Sequence, residues 1–217
     1  STLARESPDL LEDFLHYRRK VFTKQVGRDC WPYTDHGSDH CRRVERLAGE
    51  LIKAPVGESV PPEEPRILVH LGPSGVAILL HAIWLHDVGM WDQDEEGRIV
   101  LVRGDHHIHA IEKISKIFGT FELDRSMVPH VATIAYAHGC AHVDLEKLTD
   151  DYFGDNIRIR HSFLATILRL ADVMDVRSGR SCPIMRRILE TPEASEPHHA
   201  STESIRSIQI DSAGFRI

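Results

Sequence analysis

The chain is poor in cysteine and has no paired cysteine motif. Cys30, Cys41, Cys140 and Cys182 are scattered over 217 residues with no CxxC spacing. That argues against a zinc knuckle or a disulfide framework and for reduced thiols. An excess of positive charge is also lacking. Lys and Arg number 26 against 33 Asp and Glu, a formal net charge of −7. A broad basic face for nucleic acid is therefore disfavoured, although a nucleotide or single strand held by a metal and a few arginines is not excluded. No signal peptide or lipidation motif is seen, and a cytoplasmic location is expected. The longest apolar run, Gly75 to Leu85, is too short to span a bilayer and is interrupted by His81, so no membrane role is expected. There is no internal repeat and no low-complexity block. With 41% hydrophobic residues the chain can bury an ample core.

What the chain has in excess is histidine, fifteen in all and not in one tag-like run. Two of them fall in the stretch GVAILLHAIWLHDVGM, Gly75 to Met90. Its residues from Val76 to Leu85 predict a helix apolar on nearly every side, which belongs in a core. It ends on His86 and Asp87, with Gly89 expected to stop it. A charge-capable pair at the end of a buried helix is costly unless something compensates it, and a metal ion would.

The flanking segments read as further helices. Ser7-Pro8-Asp9 starts one that reaches about Lys20. A loop from Val26 to Asp35 follows, and Ser38 or Asp39 caps a helix with Val44, Leu47, Ala48, Leu51 and Ile52 on one face. Arg66 to Leu71 predicts a short helix that leads through Gly72-Pro73-Ser74 into the central one. Trp91 to Gly97 reads as an acidic turn and Arg98 to Val102 as a short extended piece. Asp105 caps a helix with Ile108, Ile111, Ile114 and Ile117 inside. Asp124 or Ser126 starts another, with Val128, Val131, Ile134 and Ala135 inside, ending at His138-Gly139. Asp144 to Tyr152 reads as a short helix or turn, Ser162 to Asp175 as a second strongly apolar helix, and Pro183 to Glu190 as a short helix. The tail predicts two short strands around Asp211 to Gly214. The expectation is an all-α helical domain over 1–190 and a C-terminal extended segment over 191–217. Because the chain stops inside a strand, a further domain is expected after Ile217.

The notable histidines and aspartates lie at helix ends: His40, His86 with Asp87, His106 with His107, His138, and Asp172 with Asp175. Ends of neighbouring helices in a bundle meet at one level, so these groups can converge. Imidazole and carboxylate without thiolate suit Mn, Fe, Ni, Co, Zn or Mg. His36 rivals His40, and His107 rivals His106.

Read together, His40 in DHCRRVERLA, His86-Asp87 in LHDVG and Asp172 in LRLADVMD resemble the HD-domain metal-dependent phosphohydrolases, over roughly Thr34 to Arg180. The resemblance implies an all-helical HD-type bundle. It implies that His40, His86, Asp87 and Asp172 hold one metal. His106 in RGDHH and His138 in AYAHG would hold a second, with Asp87 bridging. The DHG opening, the RGDHH segment and the C-terminal strands look most like HD domains at the front of larger multidomain proteins, some ahead of an Hsp90-like ATPase. Met90 follows Gly89, where the cyclic di-GMP branch carries a Lys nearby, and no GYP occurs, so that substrate is not inferred. Beyond the shared ligands, signatures of the dNTP triphosphohydrolases and (p)ppGpp hydrolases are missing too.

The implied activity is hydrolysis of a phosphoester in a nucleotide or single-stranded nucleic acid by a metal-activated water, with one or two divalent ions. Arg103, Lys113 and Arg177 are candidate phosphate contacts. Asp175, on the face of Asp172, is expected to hydrogen-bond a ligand histidine or to move a proton. Two other readings keep the site: a di-iron HD-fold oxygenase, and a non-catalytic metal-bearing regulatory domain. Oligomers are possible under all three.

Overall fold

The computed structural model describes residues 37–53, 67–93, 95–96, 99–102, 104–140, 142–154 and 156–176, and in the tail 197, 200, 204–205, 208–211 and 214–216. The fold is mostly α-helical with a small C-terminal β segment. The expected first helix, the Trp31 loop, His36, Arg103, Arg177 and the expected helix at Pro183 lie outside the described residues. By compactness the described residues fall into two units. One holds those of Val69–Arg169, the other those of Gly27–Leu68 and Leu170–Ile217.

In the second unit, α1 spans Ser38–Lys53. Cys41, Val44, Leu47, Ala48 and Ile52 recur at helical spacing and are buried, while Arg42 and Arg46 face water. Each buried Val, Leu or Ile side chain is worth roughly 1.5–3 kcal/mol, which holds this face in place. The tail forms an antiparallel hairpin of β5, Gln209–Asp211, and β6, Gly214–Arg216.

The first unit is built on α2, Ile67–Leu85. It contains a kink where two helical pieces were expected. Gly72 has φ +59 and ψ 173, a left-handed conformation that favours glycine. Pro73, which has no N–H to donate, then opens the second piece. Ala77, Ile78, Leu79, Ala82, Ile83, Trp84 and Leu85 are at most 2% exposed, so the apolar helix is the core helix its composition predicts. The stretch Leu71–Met90 is long and apolar enough to cross a bilayer, but 78% of it is buried inside the protein.

The helix ends at Leu85, one turn before the predicted stop at Gly89. His86 and Asp87 form a turn, and Val88–Met90 is a short 3-10 turn. Gly89 therefore has a different role from the expected cap. A Cβ on it would lie 1.8 Å from the carbonyl oxygen of His106. Only glycine lets the first turn of the next helix approach this closely.

The chain continues into a hairpin of β1, Trp91–Gln93, and β2, Ile99–Leu101, with Trp91 opposite Leu101. Then α3, His106–Thr120, buries Ala110, Ile114, Ile117 and Phe118. Ile108 and Ile111, expected inside, are 50% and 42% exposed. The buried stripe runs through Ala110, because the close approach at Gly89 reaches His106 and the Ala110 backbone. Asp124 accepts from the Ser126 backbone N–H and starts the turn into α4, Val128–Ala137. After α5, His142–Leu145, a hairpin of β3, Asp151–Phe153, and β4, Ile157–Ile159, turns through Gly154 and Asn156, both at positive φ. Helix α6 is His161–Met174.

Candidate metal centre

Two helix C-termini and one N-terminus meet in the first unit. His86 and Asp87 follow the end of α2, His138 caps α4, and His106 opens α3. The C-terminal ends carry partial negative charge and favour a cation.

Each ring at a C-terminal end is fixed by its own helix. His86 Nδ1–H donates to the Ile83 carbonyl at 2.8 Å, and His138 Nδ1–H donates to the Ala135 carbonyl. A carbonyl only accepts, so the proton sits on Nδ1, and in a neutral ring Nε2 is left with its lone pair. Those nitrogens face carboxylate oxygen. His86 Nε2 lies 3.0 Å from Asp87 Oδ2, and His138 Nε2 lies 3.6 Å from Asp87 Oδ1. His106 Nε2 is 3.4 Å from Asp87 Oδ1 and 3.0 Å from His138 Nε2.

Asp87, His106 and His138 form a group able to hold a metal ion. Ligand bonds of about 2.0–2.2 Å place neighbouring donors roughly 3.0–3.6 Å apart in tetrahedral or octahedral geometry, the spacing these three atoms already have. The donors are nitrogen and oxygen without sulfur, which suits hard or borderline divalent ions. His86, Asp87 and His138 are buried, and a lone-pair nitrogen facing a buried carboxylate is unfavourable without a positive charge between them.

Near this group, His107 turns another way. Its ring stands 5.7 Å from His106 and 5.4 Å from Tyr136, and it lies against Gly139, where a Cβ would be 2.6 Å from its Cγ. Burial, and secondarily the proximity of His138, lowers its pKa. Arg169 donates to the Cys140 carbonyl at 2.5 Å and so ties α6 to the turn behind His138.

In the second unit, fully buried His40 makes two carboxylate contacts. Its Nδ1–H donates to Asp175 Oδ2 at 2.8 Å, and its Nε2 lies 3.3 Å from Asp172 Oδ1. Arg43 Nε donates to both Asp175 oxygens, at 2.8 and 3.0 Å. Asp175 thus orients His40 so that Nε2 faces Asp172, the arrangement that second-layer carboxylates impose on metal-binding histidines.

A family model described as HD-CE matches residues 32–216. The chain belongs to the HD-CE family. No curated protein and no solved structure matches it.

Most of the sequence candidates of this HD-CE chain have a place in these two groups. His86, Asp87, His106 and His138 are brought together in the first unit, and His40, Asp172 and Asp175 in the second. His106 is in the first cluster, while His107 stands beside it. Asp172 is less enclosed than its apolar neighbours predict, because its side chain is 25% exposed and Leu170 and Val173 face water. Lys113 lies 3.9 Å from Asp92 on α3, and burial lowers its pKa against the opposing pull of Asp92. His109 is a surface residue 3.6 Å from the same Asp92. Arg43 escaped the sequence reading. Its signal was its position three residues after His40, in the same helical turn.

Proposed function

We propose that this HD-CE domain is a metal-dependent phosphohydrolase acting on a phosphoester in a nucleotide or single-stranded nucleic acid. The observation that carries the reading is Asp87, a buried carboxylate with the Nε2 atoms of His86, His106 and His138 within 3.6 Å. A divalent ion held by Asp87, His106 and His138 would supply an acidified water as nucleophile and neutralise phosphoryl oxygens. The resemblance adds His40 and Asp172 of the second unit as ligands, and with them an expected stoichiometry of two ions. Asp175 is a positioning residue: it keeps the His40 proton on Nδ1 and leaves Nε2 for a ligand. Lys113, Arg103 and Arg177 are the cations assigned to the phosphate, since the metals alone do not offset an anionic ester.

The test is metal content followed by hydrolysis of a phosphodiester panel with added Mn²⁺. Metal bound by the wild type, lost in Asp87→Ala, and metal-dependent hydrolysis are expected. Asp175→Asn is expected to weaken metal binding about 10–100-fold, as loss of a ligand-orienting partner does. A protein that stays metal-free after Mn²⁺ loading defeats the reading. Mixed-valent iron by EPR without hydrolysis would replace it with the oxygenase alternative. Full metal occupancy without hydrolysis would replace it with a regulatory role.

A further inference from the structure

The ligands of the first-unit centre differ in their contact with water. His86 is 0% exposed, and the Asp87 and His138 side chains 7% and 5%, whereas His106 keeps 18%. The opening continues past His106. His107 is half-buried, Gly139 is exposed, and Tyr136 is 36% exposed although Ala135 and Ala137 on either side are buried. The rings contact one another in turn. His138 lies 5.0 Å from His106, His106 5.7 Å from His107, and His107 5.4 Å from Tyr136, centroid to centroid.

His107 is placed as a surface rather than as a hydrogen-bonding group. Its buried Nδ1 has no hydrogen-bond partner. Its ring is seated against Gly139 by the absence of a Cβ there. Tyr136 meets it at 42°, so the two rings form an open V rather than a closed stack. This pair lies beside His106, the most exposed member of the group.

We infer that Tyr136, backed by His107, is a stacking surface for the planar ring of the substrate, and that the ring is a nucleobase. This rests on the phosphohydrolase reading above. Tyr136 stands next but one to His106, with the His107 ring between them. Stacking on an aromatic side chain tolerates any base, so the surface selects nucleotides over sugar phosphates without selecting a sequence.

The test compares the phosphonate analogues of AMP and ribose 5-phosphate, neither of which has a cleavable phosphoester bond, by calorimetric titration of Mn²⁺-loaded protein. The AMP analogue is expected to bind about fivefold tighter or more, the low end of base stacking on an aromatic ring. Tyr136→Ala brings the ratio toward one and Tyr136→Phe keeps it. Gly139→Ala, which drives the His107 ring from its seat, is a second variant that lowers the same ratio. Wild-type Mn²⁺ content in each variant shows that the fold is intact. Equal affinity of the wild type for both analogues, or a ratio unmoved by Tyr136→Ala, overturns the inference and leaves the phosphohydrolase reading standing. No binding of either analogue to Mn²⁺-loaded protein overturns both.

Discussion

Helix α4 carries two histidines, His130 and His138, and each touches a second histidine. His130 Nδ1 lies 2.9 Å from His161 Nε2, and His138 Nε2 lies 3.0 Å from His106 Nε2. The contacts are nearly equal in length, but the pairs end differently. His161 Nδ1–H donates to the Thr149 carbonyl at 3.0 Å, so its Nε2 accepts the His130 Nδ1 proton. Every proton in that chain has an acceptor with both rings neutral, and the pair is a structural tie between α4 and α6. The other pair ends on Asp87, a negative charge. There the lone pairs and the carboxylate face inward together and leave a place for a cation. What separates a structural histidine pair from a group able to hold a metal ion is the residue at its end.

The most direct way to break this contrast is Asp87→Asn, which gives the second pair a neutral terminus. Metal affinity is expected to fall by more than about a hundredfold, beyond the cost of losing an outer partner. His161→Asn is expected to leave metal content at the wild-type level. Gly89→Ala comes next. Its methyl would meet the His106 backbone, so α3 must move. A loss of roughly 3 kcal/mol or more in thermal unfolding is expected, with weaker metal binding.

Smaller is His130→Leu, which leaves the buried His161 Nε2 without its donor. It should destabilise the fold by about 1–3 kcal/mol without changing metal stoichiometry. The smallest effect is on pH dependence. Burial, reinforced by the neighbouring His161, holds the His130 pKa below the ordinary histidine value. The unfolded chain therefore takes up this proton first as pH falls, and stability declines below about pH 6.5. Chemical denaturation across pH 5–8 should show a shallower decline in His130→Leu than in the wild type.

Much of this was legible in the sequence where one residue type decides. An entirely apolar helix has to be buried, so the His86-Asp87 end stood out. Gly72-Pro73 marked a break, and the Asp211 to Gly214 turn marked the tail hairpin. Adjacent residues were harder. His106 and His107 both open α3 and differ by about 100° around its axis, and the close approach at Gly89 decides which one faces Asp87. The same contact sets the buried face of α3, so Ile108 and Ile111 fit a helical stripe yet lie outside it. The hairpins β1–β2 and β3–β4 have strands of three residues, too short for an alternating pattern to register. Arg43 looked like one surface cation among many until Asp175 came to it from 132 residues away.

The Nδ1 bonds of His86 and His138 also bear on how fast an ion is taken up. Each ring is anchored to a carbonyl of its own helix, three residues earlier. The rotamer and the tautomer are thus chosen when the helix forms, before any ion arrives. The entropy of ordering these two side chains is then spent in folding and does not weaken the ion's affinity. An ion taken up by Asp87, His106 and His138 would find the His138 imidazole already aimed, so uptake should be limited by its own dehydration, with little rearrangement of the chain.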